Sequence, residues 1–250
     1  LGIPLQNFKL LLEYDGTAYW GWQRQNTGRT LQGTIEAALN TMTEQSVALI
    51  GSGRTDTGVH AVGQVANFHL ETRLTAGTFL KGLNSLLPSD IVIRDCLPVD
   101  ESFHARYDAK SKIYDYRILN HPIRAALFRQ YAWHISKPLD LEAMRRAALH
   151  LRGEHDFGAF QGAGGGISNA VRNVTDATLS KKDSRGYVVF RIEAGGFLRH
   201  MVRNIVGTLV DVGLGRISPE DFKEILLSKD RQQAGITAPA HGLFLTEVKY

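Results

Sequence analysis

The feature that most constrains this chain is a change of hydrophobic period that runs in the same order twice. FKLLLEYDG alternates like a strand entering a turn, and TLQGTIEAALNTM then sets Leu31, Ile35, Ala38, Leu39 and Met42 at the spacing of a helix face. SVALI and VGQVANFHL read as β, AGTFLKGLNSLL as helix and DIVIRDCLPV as strand, which makes β-α-β-β-α-β. After a polar connector over 100–110 the order returns: strand KIYDYRIL, helix LDLEAMRRAALHL, strands VRNVTDATLSKK and GYVVFRIEAGG, helix FLRHMVRNIVGTLVDVG and strand GLFLTEVKY. A further short helix is expected from Ser218, where Pro219, Glu220 and Asp221 form a helix-start signal. The chain therefore reads as α+β, with two pseudo-repeated halves, 1–104 and 105–250, whose mainly antiparallel sheets join around a central cleft. Helices on one face of each sheet leave the other face for an elongated, charged ligand.

Composition narrows the function. With 43% hydrophobic and 22% charged residues in 250, the chain can bury a sizeable core. No apolar run approaches the ~20 residues of a membrane span, and LGIPLQNFKL lacks the order of a secretory signal, so a cytoplasmic location and no membrane partner are expected. The single cysteine, Cys96, excludes a disulfide framework and zinc sites built on paired cysteines, including the zinc deaminase signature. Its place in IVIRDCLPV suggests a buried structural thiol. None of the nine histidines forms HExxH, and HLRGEH, His150 to His155, is expected to be a helix end and turn. No metal site is expected. Residues 1–98 hold 7 Lys+Arg against 8 Asp+Glu and residues 99–250 hold 22 against 17, so a polyanion would meet the second half more readily.

GSGRTDTGVHA, Gly51 to Ala61, packs three glycines and two threonines around Arg54 and Asp56. Gly53 to Gly58 has the first spacing of a Walker loop, but Val59 and His60 stand where its Lys-Ser/Thr belongs. The dinucleotide fingerprint fails too, because Asp56 occupies the place of the third glycine. A tight turn capped by Asp56 and a catalytic carboxylate beside Arg54 both fit the residues; glycines let backbone N–H groups or a ligand approach closely.

GRTDTGVHA resembles the catalytic-aspartate motif of the tRNA pseudouridine synthase A family. YDGTAYWGWQRQ, LQGTIEAAL, ESFHAR, KSKIYDYRI, FLRHMVRNIVGTL and GLFLTEVKY resemble that family's segments in its order, over nearly the whole chain. The resemblance implies the pseudouridine synthase fold and the isomerisation of uridine to pseudouridine at positions 38, 39 and 40 of the tRNA anticodon stem-loop. It implies no redox or group-transfer cofactor, and a homodimer. By motif position it makes Asp56 the nucleophile, Tyr114 the residue against the target base and Arg203 the partner of the aspartate. Arg24, Arg54, Arg106 and Arg172 are further candidates for phosphate or motif-loop contacts. An aspartate near its reference pKa of ~3.9 is ionised at neutral pH without help, so Arg203 would orient the carboxylate rather than ionise it. Tyr114, with a reference pKa near ~10, suits stacking better than base catalysis.

Two stretches depart from the family pattern. Gly162 and Gly164 to Gly166 loosen FQGAGGGISNAVRNV, and EAGGFLRHMVR has glycine where asparagine is common. Neither removes a reacting group. Other RNA targets, an RNA-binding protein that has kept the fold without activity, and a hydrolase acting through Asp56 are the competing readings; glycosidases use two carboxylates where the motif supplies one.

Overall fold

The computed structural model describes residues 2–164, 169–183 and 185–250. They form two compact units: the chain up to Lys110 together with Leu245–Tyr250, and Ser111–Phe244. Sequence alone places the boundary after residue 104, whereas the units divide after Lys110 and the C-terminal residues pack with the first.

The first unit contains β1 (Leu5–Tyr14), α1 (Leu31–Thr43), β2 (Ile50–Gly51), β3 (His60–Glu71), α2 (Ala76–Leu86) and β4 (Ile91–Val99). Its strands run in the order β4-β1-β3, β2 pairs with the same β3, and the Leu245–Lys249 part of β10 (Leu243–Lys249) follows β3. The pairings of β1 with β3 and β4, and of β2 with β3, are antiparallel. Phe8, Leu10, Leu12 and Tyr14 of β1 are all buried, as the period of two requires of one strand face. Phe8 meets Phe68 of β3 at 5.4 Å and Phe79 of α2 at 4.9 Å, and Phe68 meets Phe79 at 5.2 Å. Each buried ring contributes about 1.5–3 kcal/mol. α1 starts where Thr30, in extended backbone, accepts from the Gly33 N–H, a cap of about 1 kcal/mol, and it ends at left-handed Glu44.

SVALI does not extend β2. Val47 and Leu49 are buried as expected, but the Leu49 N–H donates to Glu36 Oε1 at 3.0 Å and its carbonyl accepts from Gln32 Nε2 at 3.1 Å. Side chains of α1 thus replace a strand neighbour. The connector is likewise anchored by side chains. Buried Asn7 donates to the carbonyls of Asp100 and Phe103, and buried Asn67 donates to Asn7 Oδ1 while accepting from the Ala105 N–H. Tyr250 adds a bond to the Ala105 carbonyl, so the ESFHAR segment belongs to the first unit.

The second unit contains β5 (Ser111–Asn120), β6 (Trp133–Ile135), α3 (Leu141–Leu149), β7 (Gly153–Asp156), β8 (Val171–Lys181), β9 (Tyr187–Ala194), α4 (Met201–Gly213) and α5 (Pro219–Ser228). The order is β5-β9-β8-β7, all antiparallel, with short parallel β6 on β5. The pseudo-repeat is visible in the pairing: β5 joins β9 and β9 joins β8, as β1 joins β3 and β3 joins β2. α5 opens on the capping box expected at Ser218, which exchanges hydrogen bonds with Asp221.

Two expectations are adjusted here and one element is added. The helix expected from Phe197 begins at Met201, because His200 adopts φ 59° and breaks the helical backbone before it. HLRGEH caps α3 at His150 and turns through Leu151 and Arg152 as expected, and Gly153 to Asp156 then form β7 against β8. β6 is an addition that its three residues were too short to announce. Of the glycine-rich stretch, residues 165–168 lie outside the described residues; the Gly162 N–H donates to the Arg199 carbonyl at 2.8 Å. Among the described residues no helix is long and apolar enough to cross a membrane.

Cys96 is buried in β4, and burial pushes its thiol up to about 12. A thiol reagent at pH 8 is therefore expected to leave the native protein unmodified and to label it once on addition of denaturant; rapid labelling of the native protein would contradict this environment.

Candidate active site

Asp56 lies in the loop between β2 and β3, half-buried. The loop is held on both sides of it. The Thr55 carbonyl accepts from the Trp22 N–H at 3.0 Å, Thr55 Oγ1 pairs with the buried Tyr14 hydroxyl at 2.9 Å, and the Val59 N–H donates to the Asp56 carbonyl at 3.1 Å. Burial raises the Tyr14 hydroxyl well above the ordinary phenol pKa, so it stays protonated. Upstream, Ser52 Oγ donates to Gln64 Oε1 at 2.6 Å and Gln64 Nε2 returns a bond to the Gly53 carbonyl at 3.0 Å. Buried His60, at the start of β3, accepts from the Gly16 N–H at Nδ1.

Glycines make this support possible. A β-carbon on Gly16 would lie 2.0 Å from the Val59 carbonyl oxygen, and one on Gly21, at φ 89°, would lie 2.6 Å from that of Thr55. The turn after β1 therefore packs backbone to backbone against the Asp56 loop. Arg24 stands on that turn's continuation, exposed and paired with Glu36 at 3.4 Å. Arg54 is exposed beside Asp56. Arg106 belongs to the segment held by Asn7 and Asn67; it is exposed, with its guanidinium 5.7 Å from the Tyr107 ring.

In the second unit, Tyr114 and Tyr116 share one face of β5, both buried but in different surroundings. Tyr116 is fully buried, donates to the Pro239 carbonyl at 2.7 Å, and lies against Gly242. Burial drives its pKa far up, Arg203's charge partly opposing. Tyr114 meets Phe197 edge-on, with centroids 5.0 Å apart. Asp115, between them, points to the opposite face and receives Arg191 bidentately, both bonds at 2.7 Å.

Arg203, on the first turn of α4, donates from Nε to the Ala238 carbonyl at 2.7 Å, and the Ala238 N–H donates back to the Arg203 carbonyl at 3.1 Å. The loop carrying Ala238 is in turn built onto α4. Asn204 Oδ1 accepts from Thr237 Oγ1 at 2.6 Å and from Arg231 at 3.2 Å, and the Gly235 N–H donates to Thr208. Arg172, on β8, donates to the carbonyls of Asn169 and Val171 and lies beside Gly196; burial lowers its pKa.

The first unit thus brings Asp56, Arg54 and the Arg24 turn together, and the second sets Tyr114, Arg172 and Phe197 around the turn before α4. Phe197 was legible only as a helix residue; the signal for a turn was the glycine pair before it. Ala238 and its loop gave no signal, since they act through carbonyls. Among the described residues no group of three or more His, Cys, Asp and Glu side chains is placed to hold a metal ion.

The family model described as tRNA pseudouridine synthase matches residues 11–108 and 147–250. tRNA pseudouridine synthase A of Acetivibrio thermocellus is 48% identical over 246 residues, which cover 98% of this chain and 100% of that protein. The enzymes of the same name from Thermoanaerobacter pseudethanolicus and Caldicellulosiruptor saccharolyticus are 48% and 44% identical over the same shares of both chains. The chain belongs to the tRNA pseudouridine synthase A family.

Gly207, inside α4, tests the support of Arg203, because a β-carbon there would lie 1.7 Å from the Ile236 carbonyl oxygen. Alanine gains up to ~1 kcal/mol in helix propensity. The clash outweighs this, and Gly207→Ala is expected to lose about 1–3 kcal/mol net in urea denaturation.

Proposed function

We propose that this protein isomerises uridine to pseudouridine in tRNA, at positions 38, 39 and 40 of the anticodon stem-loop. The observation that carries the reading is the loop of Asp56, fixed through main-chain bonds at Thr55 and at Asp56 itself within a chain that matches a family relative over 98% of its length. The reaction breaks the bond from ribose C1' to uracil N1, turns the base, joins C1' to C5, and exchanges the C5 proton for one on N1. No electron is gained or lost, so the chain's own side chains can supply what the reaction needs.

Asp56 is the proposed nucleophile, attacking either the base or the sugar carbon. Tyr114 is the proposed stacking partner of the target base; its edge-on contact with Phe197 fixes the ring plane without drawing on the hydroxyl. Arg203 is the proposed partner of the carboxylate, and its bond to the Ala238 carbonyl orients the guanidinium plane. Arg24, Arg54, Arg106 and Arg172 are proposed to meet RNA phosphates. Unstacking a stem base costs roughly a few kcal/mol, which phosphate contacts offset in a salt-dependent way. A homodimer in the cytoplasm is also proposed. Ile123, Leu127 and Phe128, exposed at 72%, 76% and 64%, are apolar surface available to a second copy. The hydrolase reading is disfavoured because Asp115, the carboxylate nearest Tyr114 in sequence, is committed to Arg191.

tRNA tritiated at uracil C5 should release tritium with wild type and not with Asp56→Ala, and the new pseudouridines should map to the anticodon arm. Release that survives in Asp56→Ala would refute the assignment, and free uracil as product would restore the hydrolase. Arg203→Lys keeps the charge but lacks a second donor nitrogen with which to hold Ala238 and a carboxylate together. It is expected to lower kcat by about 100-fold, while near-normal turnover would remove the orienting role.

A further inference from the structure

Away from the Asp56 loop, the first unit carries an open groove of about 710 Å³ along α1, lined by Arg24, proposed above for a phosphate, and by Arg29, Thr30, Thr34, Thr41 and Pro88 among others. None of its lining residues is acidic. Both arginines at its rim are exposed and held in place. Arg24 pairs with Glu36 at 3.4 Å yet keeps 72% of its side chain in solvent. Glu36 divides its charge, since its other oxygen accepts from the Leu49 N–H and from Gln32. Arg29 lies 4.7 Å above the ring of Tyr19, whose hydroxyl is tied to Asp90 at 2.6 Å.

Beside the groove stands an indole that the fold does not bury. Trp20 is 54% exposed. One face is backed by Gly28, at φ 84°, where a β-carbon would lie 2.5 Å from the ring. The loop between Trp20 and Arg29 is closed by the Trp20 N–H donating to the Arg29 carbonyl at 2.8 Å and by Gln25 Nε2 donating to the Trp20 carbonyl at 3.0 Å. The ring is thus a backed platform beside two cations.

We infer that this groove binds an RNA strand away from the reacting uridine, with two phosphates against Arg24 and Arg29 and an unpaired base stacked on Trp20. The inference rests on the proposed RNA substrate and adds a site to it. A phosphate contact contributes charge and little selectivity, whereas stacking on an aromatic face contributes affinity that salt does not screen. The two contributions can therefore be separated in one measurement.

The dissociation constant of an unmodified tRNA transcript would be measured between about 50 and 200 mM KCl for wild type and variants, each checked for a native thermal unfolding transition. Arg24→Ala/Arg29→Ala is expected to make the slope of log K against log salt shallower by about 1.4, at ~0.7 for each single-strand phosphate. Arg24→Lys/Arg29→Lys should restore it. Trp20→Ala should weaken binding about tenfold without changing the slope, and Trp20→Phe should recover most of the loss. A wild-type slope in the double alanine variant, or wild-type affinity in Trp20→Ala, would overturn the inference and leave the groove a solvated basic edge. Because binding is read without turnover, failure of tritium release would sink the proposed reaction and leave this comparison intact. An unchanged slope would sink the groove and leave the reaction standing.

Discussion

The Thr55 and Val59 carbonyl oxygens lie where side chains on Gly21 and Gly16 would begin, and much of the first unit follows from that approach. Main chain packed on main chain leaves few adjustable torsions between Asp56 and the sheet. The hydroxyl of Tyr14, the amide of Trp22 and the ring of His60 then complete the bonds that such packing would otherwise leave buried and unmet. The main chain that carries the carboxylate is thus positioned by its neighbours' backbones.

The second unit reaches comparable rigidity by another route. Here a helix carries Arg203, and a loop some 27 to 33 residues on is fastened to that helix by Asn204, Thr208 and Arg231. Asn204 and Thr208 are fully buried polar residues, costly unless bonded, and their bonds join α4 to the loop. Gly207 lets the loop come down onto the helix. Arg203 is therefore fixed from its main chain and from its side chain at once.

What could be read from the sequence was what has a period or a local rule. The alternation in FKLLLEYDG, the helical spacing from Leu31 to Met42, the helix start at Ser218 and the repeated element order all produced the elements expected of them. What escaped depends on partners distant in sequence. SVALI has a strand's composition, but Gln32 and Glu36 take the backbone bonds a strand would have used. Phe197 has a helix's spacing, but the left-handed turn at His200 removes it from the helix and sets it against Tyr114. The proposed site residues were named through motif resemblance alone; the carbonyls and asparagines that surround them gave no signal, because their contribution lies in geometry that no residue type announces.

The lone thiol of Cys96 has a practical corollary. With β4 shielding the chain's one native sulfhydryl, a cysteine placed at an exposed position would be the sole address for a fluorophore or spin label. The natural sequence is in that sense already a cysteine-silent background for distance spectroscopy on the folded enzyme, with no native residue needing replacement first.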